Sequence, residues 1–210
     1  MIRYRGKKLH RPVHPKIFVW SHTHKAEIEY FQDFKNYLKT PLLIPRKNIC
    51  GTPQELINKV LEWKKQNVCE KDGDQVWCVF DIDDFYQKDK QGLLMAIQEA
   101  GKNNVKIAYV NECFELWIIL HFNKPTFPIF RGDGIKKKMQ GIYKKNKLGE
   151  FKKNQKVFSV LMPFQLVAIK NAKKLLPVGY KDIDWKTVLD SNGNPSTSIH
   201  FLVEEIYSLK

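Results

Sequence analysis

Residues 75–84 read QVWCVFDIDD and contain the clearest strand signal in the chain. The run from Gln75 to Phe80 is rich in Val and aromatic residues, and it predicts a β-strand. Carboxylates follow at once. In an open α/β sheet, ligands bind beyond the carboxyl ends of the strands. A strand followed directly by acidic residues therefore suggests an α/β sheet with a candidate functional site at this edge.

Similar strand and helix patterns lie on both sides of this stretch. The predicted strands are 16–20, 41–44, 75–80 and 105–110. The predicted helices between and after them are 26–38, 54–66, 90–100 and 113–121. Strands that alternate with helices indicate βαβ units and a parallel sheet. We therefore predict an α/β domain over residues 17–123, with a parallel sheet and helices on both faces.

The pattern changes after Pro125 and Pro128. The rest of the chain is helical and rich in Lys, with no strong strand pattern. Helices are predicted over 135–147, 164–175 and 197–209. We predict a basic helical C-terminal subdomain over residues 124–210 and a basic N-terminal arm over residues 1–16.

The positive charge is concentrated in two segments. The chain of 210 residues carries a formal net charge of +14. Residues 1–16 contain six basic residues and no acid, and residues 131–174 contain 13 basic and two acidic residues. These two segments together carry +17, which leaves −3 on the other 150 residues. A hydrophobic fraction of 43% supports a folded core and excludes a disordered polycation.

Two basic segments with interleaved aromatic residues favour contact with RNA or DNA, because lysine and arginine neutralise phosphates and aromatic rings stack on bases. A solvated surface that keeps the protein soluble, or attraction to lipid headgroups, would use the same charges. The residues assigned to nucleic-acid binding are Arg3, Arg5, Lys7, Lys8, Arg11, Lys25, Arg131, Lys136, Lys137, Lys138, Lys144 and Lys145.

Four cysteines are spread thinly, without a CxxC pair or ligand spacing. We interpret them as reduced thiols of a cytoplasmic protein. No run approaches the roughly 18 apolar residues of a membrane span, and the basic start lacks the apolar region of a signal peptide. A membrane location is therefore not expected.

The acidic residues after the third strand are the strongest candidates for chemistry. Asp81 and Asp83 are on alternate residues, where two carboxylates can flank one divalent ion. An Asp-x-Asp after a strand also occurs as an Asx turn or a helix N-cap, and Asp84 suits the cap. Burial would require a cation or hydrogen-bond donors around these groups.

Two further strand ends carry polar residues. His22 and His24 follow the first strand, where they could bind a metal or act as acid and base, or be ordinary exposed histidines. Glu27 and Glu29 open the next helix, where the helix dipole favours carboxylates whatever their function. Glu115 follows the fourth strand in an apolar helix start and needs a metal or a basic partner there.

Three blocks of sequence together resemble the RloB-like family. They are Lys25-Ala-Glu-Ile-Glu-Tyr-Phe31, Val79-Phe-Asp-Ile-Asp-Asp-Phe85 and Asn111-Glu-Cys-Phe-Glu-Leu-Trp-Ile-Ile-Leu-His-Phe122. The resemblance extends to 168–173 and 194–200, which look like the family's closing helices. Members have a Toprim-like domain and are encoded beside bacterial restriction and abortive-infection systems.

The resemblance implies a metal-dependent nuclease of anti-phage defence that uses Mg²⁺ or Mn²⁺ and works with partner proteins of a defence locus. It places Asp81, Asp83 and Glu27 at the metal, with help from Glu115, and makes His22 or His24 the general base or an extra ligand. The family's leading glutamate falls on His22 here. This departure leaves a second reading, a catalytically degenerate protein that binds a nucleic acid or a nucleotide. The sequence does not choose between RNA and DNA.

Overall fold

In the computed structural model of the chain, the described residues are 14–22, 26–47, 51–68, 72–82, 89–126, 128–130, 132–152, 156–190 and 193–209. Most of the predicted N-terminal arm lies outside these ranges. No helix within them is long and apolar enough to cross a membrane. Two of the four cysteines are described, and Cys78 and Cys113 are buried thiols.

Five strands in these ranges form one sheet in the order β2-β1-β3-β4-β5. They are β1 (Ile17–Ser21), β2 (Leu43–Lys47), β3 (Gln75–Asp81), β4 (Val105–Asn111) and β5 (Ser196–Thr197). The first four are mutually parallel, and β5 pairs antiparallel with β4. The predicted α/β fold is confirmed, and the mostly parallel sheet is consistent with the Toprim-like domain expected from the resemblance.

The helices that follow the first four strands match the predicted positions closely. They are α1 (Ala26–Leu38), α2 (Pro53–Asn67), α3 (Lys90–Lys102) and α4 (Glu115–Leu120). The C-terminal helices are α5 (Asp133–Lys145), α6 (Phe158–Leu161), α7 (Gln165–Leu175), α8 (Trp185–Val188) and α9 (Ile199–Tyr207). Thr52 caps α2 by accepting a hydrogen bond from the Glu55 amide, with Pro53 in the first turn.

The central strands are buried on both faces because their side chains alternate between two cores. In β3, Trp77 and Val79 pack into one core, whereas Cys78 and Phe80 pack into the other. Helices α1, α4, α5, α7 and α9 cover the first face. Helices α2 and α3 cover the second face. The C-terminal helices α5, α6, α7 and α9 therefore share a core with α1, whereas α8 packs in the core of α2 and α3.

Two strands depart from their predicted positions. β2 is displaced by two or three residues toward the C terminus and includes Pro45 and the exposed Arg46 and Lys47. It is an edge strand, where a proline and charged side chains are tolerated. β5 lies in a region with no strong strand pattern, since it consists of Ser196 and Thr197 alone.

The outer edge of β4 is closed mainly by hydroxyl groups. Ser198 Oγ accepts from the Tyr109 amide and donates to the Ile107 carbonyl, both at 3.0 Å. Thr197 Oγ1 donates to the Tyr109 carbonyl at 2.7 Å, and the Tyr180 hydroxyl accepts from the Ile107 amide at 2.6 Å. These bonds satisfy backbone groups that an exposed edge would offer to another chain.

Ser198→Ala is expected to lower the free energy of unfolding by about 1–3 kcal/mol, because it leaves a buried amide and a buried carbonyl of β4 without partners. Urea denaturation followed by circular dichroism measures the change. Ser208→Ala is the matched control, since the exposed Ser208 hydroxyl donates to a carbonyl at the end of α9. Equal stabilities of the two variants would contradict this account of the edge.

Candidate functional site

The site predicted from the strand ends lies between β1 and β3. From β1 the chain passes through α1 to β2 on one side, and then returns through α2 to β3 on the other side. The reversal leaves a crevice between the carboxyl ends of β1 and β3, which is where open α/β sheets bind ligands. Ser21 is in register with Val79, and the His22 amide donates to the Val79 carbonyl at 3.0 Å.

Asp81 is the last residue of β3 and extends two positions beyond Val79. Asp81 is 5% exposed. Because side chains alternate along a strand, Asp81 shares the face of Val79, which is the face that α1 covers. The structure thus places a buried carboxylate at the crevice, on the side of α1.

Glu27 is the second residue of α1 and is 4% exposed. It belongs to the buried stripe of that helix, with Tyr30, Phe31 and Phe34. Glu29 is half-buried and outside this stripe. The helix dipole stabilises both carboxylates, but the fold directs Glu27 toward the sheet.

The other described candidates occupy the same edge. His22 is 7% exposed directly after β1. Glu115 begins α4, shortly after β4 ends, and is half-buried, so water can satisfy part of its carboxylate. His24, Asp83 and Lys25 lie outside the described residues.

Asn111 was not among the residues predicted for the site, although it ends β4. It is 6% exposed, and its side-chain amide donates to the Val188 carbonyl at 3.2 Å. Its position at a strand end was the signal that could have singled it out. Alternation along β4 places it on the face opposite Val110, which belongs to the core that contains α1. Asn111 therefore ties the edge to the C-terminal segment.

Oxygen donors of this kind suit Mg²⁺ or Mn²⁺, which prefer carboxylates to imidazoles or thiolates. Within the described ranges, no three His, Cys, Asp or Glu side chains come close enough together to hold a metal ion. Asp81 and Glu27 alone would be an incomplete ligand set, which Asp83 or His24 would have to complete. The donor chemistry fits the metal, with the histidine at position 22 as its unusual feature.

Five of the residues predicted to bind nucleic acid lie on α5. This helix buries Ile135, Met139, Ile142 and Tyr143. Its lysines at 136, 137, 144 and 145 are exposed, and Lys138 is half-buried, so burial lowers the pKa of its ammonium group. The remaining candidates, Arg3, Arg5, Lys7, Lys8, Arg11 and Arg131, lie outside the described residues.

The sequence was compared with protein-family models, curated proteins and solved structures. No curated protein and no solved structure matches the chain. The family model of the RloB-like protein matches residues 17–206, which span the sheet, the candidate site and the C-terminal helices. The chain therefore belongs to the RloB-like protein family.

Proposed function

We propose that the protein is a Mg²⁺- or Mn²⁺-dependent nuclease that cleaves nucleic-acid phosphodiesters in bacterial anti-phage defence. The observation that carries the proposal is the burial of Asp81 and Glu27 at the crevice between β1 and β3. Buried carboxylates are costly unless cations or hydrogen-bond donors compensate their charge. Carboxylate oxygens gathered at one sheet edge are also the ligands that Mg²⁺ and Mn²⁺ prefer.

Each candidate residue has a role in such a reaction. Asp81, Asp83 and Glu27, with Glu115 from the same edge, would hold the metal. A bound divalent ion polarises a phosphodiester oxygen and activates water. His22 or His24 would accept the proton of the attacking water or add a ligand, since an imidazole is suited to proton transfer near neutral pH.

The exposed lysines of α5 would hold the strand by neutralising its phosphates. The basic arm and Lys25 would add to this surface. The defence setting and partner proteins from a defence locus are proposed from the family. A cytoplasmic location is proposed from the thin, motif-free spacing of the cysteines.

A second function is favoured by His22. A neutral imidazole lacks the charge of the glutamate that the family pattern has at this place, and Mg²⁺ prefers carboxylate ligands. The alternative is a protein that binds a nucleic acid or nucleotide in the same crevice without cleaving it.

One assay separates the two functions. The purified chain is incubated with labelled RNA, single-stranded DNA and duplex DNA in Mg²⁺, Mn²⁺ or EDTA. The nuclease predicts products that form with a metal and disappear in EDTA. Salt-sensitive binding without products in any metal would overturn the nuclease and support the binding protein, and neither binding nor cleavage would overturn both.

Lys144→Gln combined with Lys145→Gln is expected to weaken nucleic-acid binding and to lower the slope of log K against log salt by about 1–2 units on duplex DNA. The reason is that binding releases fewer counterions from the DNA when two phosphate contacts are lost. Fluorescence anisotropy at several salt concentrations measures the slope. Lys59→Gln combined with Lys65→Gln, two exposed positions on α2, is the control. An unchanged slope in the α5 variant would remove this helix from the interface.

A further inference from the structure

Tyr30 joins α1 to the C-terminal helices. It is 1% exposed, and its ring lies 5.7 Å from the ring of Phe114 and 5.3 Å from that of Phe158, between centroids. Its hydroxyl donates a hydrogen bond of 2.9 Å to Oε1 of Gln165, the first residue of α7. A residue 135 positions further along the chain thus provides the buried acceptor for this hydroxyl.

Gln165 also lies against α4. It is 2% exposed, and its side chain is near the His121 ring. His121 Nδ1 is 2.8 Å from the Trp117 carbonyl, which fixes the ring against α4. Further along α7, Asn171 donates to the Leu120 carbonyl at 2.9 Å. Helix α7 is therefore hydrogen-bonded to both α1 and α4.

These two helices carry candidate metal ligands at their first turns. Glu27 precedes Tyr30 by three residues, so the two side chains lie on one face of α1, about 4.5 Å apart along the axis. Apolar packing by Phe31 and Phe34 holds the helix on the sheet, but such contacts are not directional. The hydrogen bond to Gln165 is directional and fixes how far α1 slides or turns.

We propose that Tyr30 and Gln165 are positioning residues that hold the Glu27 carboxylate at the crevice, so that the C-terminal helices help to set the geometry of the metal site. The inference rests on the proposed function, because it takes Glu27 as a ligand. It assigns to Gln165 a role that its place outside the sheet and in a Lys-rich region would not suggest. Side chains that orient metal ligands commonly affect metal affinity by 10–100-fold.

The test compares Mn²⁺ binding in the full chain and in Tyr30→Phe and Gln165→Met. Free Mn²⁺ is measured by electron paramagnetic resonance well below the melting temperature of each protein. The positioning role predicts that both variants bind Mn²⁺ about tenfold more weakly than the parent. Circular dichroism confirms that each variant remains folded at the temperature of the titration.

Tyr109→Phe is the matched control for a merely structural loss. The Tyr109 hydroxyl is also buried and donates one hydrogen bond, of 3.1 Å to Ser196, but it belongs to the opposite core. We expect this variant to melt at a lower temperature and to bind Mn²⁺ like the parent. Tyr30→Phe with parental Mn²⁺ affinity would overturn the positioning role and leave the metal site intact, whereas a parent that does not bind Mn²⁺ would overturn both.

Discussion

Acidification from pH 7 to pH 4 is expected to destabilise the protein by several kcal/mol through two buried histidines. His121 and His200 have no measurable exposure. Burial lowers the pKa of His121 to about 4, despite the opposing hydrogen bond to the Trp117 carbonyl. Burial, together with the nearby Lys173 ammonium, lowers the pKa of His200 to about 4 as well.

The loss of stability on acidification follows from the difference in proton binding between the folded and unfolded states. In the unfolded chain the two imidazoles are protonated with a pKa near 6.5, whereas in the folded protein they are protonated only at about pH 4. Between these values the unfolded state holds more protons, so the free energy of unfolding falls as the pH falls. This stability is fully present above pH 6.5 and is lost by about pH 4, at roughly 3 kcal/mol for each ring.

Urea denaturation at half-unit steps from pH 7 to pH 4 measures this loss. His121→Gln and His200→Gln should each remove about half of the pH dependence in this interval. His14→Gln, which removes an exposed imidazole, is the control. A free energy of unfolding that stays constant between pH 6.5 and pH 4 would contradict the assignment of these two rings as neutral buried groups.

Asp81→Asn is expected to abolish both metal-dependent cleavage and stabilisation by Mn²⁺. Asparagine keeps the shape of the side chain and removes the charge that would bind the cation. In the parent protein, Mn²⁺ at 100 times its Kd should add about 2.7 kcal/mol to the free energy of unfolding. For a domain of this size that corresponds to a rise in Tm of roughly 5–10 °C.

Glu29→Gln is the matched control for Asp81→Asn. It also removes one carboxylate, and Glu29 lies in the same helical turn as Glu27 but outside the buried stripe. We expect it to keep both the Mn²⁺-dependent rise in Tm and the cleavage. An Asp81→Asn protein that cleaved at the parental rate, or that Mn²⁺ stabilised as strongly as the parent, would exclude Asp81 from the metal site.

The parallel sheet could be predicted because its strands are apolar on both faces and the helices between them have clear periodicity. The run at 75–80 is an example, since Trp77 and Cys78 enter different cores. The edges of the sheet could not be predicted as well. β5 is two polar residues long, and its hydrogen bonds to β4 leave no periodic pattern in the sequence. β2 contains a proline that a central strand would not tolerate.

The position of Asp81 could be predicted because the strand before it has a clear pattern. Helix-dipole reasoning alone does not distinguish Glu27 from Glu29. The family resemblance singles out Glu27, and the structure adds that Glu27 is buried whereas Glu29 is half-buried. The connection from Tyr30 to Gln165 spans 135 residues and involves two ordinary polar residues, so no local pattern indicates it.

We expect the carboxyl edge of β1 and β3 to bind a divalent cation between Asp81 and Glu27. The most direct measurement is an anomalous difference map from crystals of the full chain soaked in MnCl₂. We predict a manganese peak within coordination distance of the Asp81 and Glu27 carboxylates. A map with no peak at this edge, or with manganese bound elsewhere on the protein, would contradict the claim.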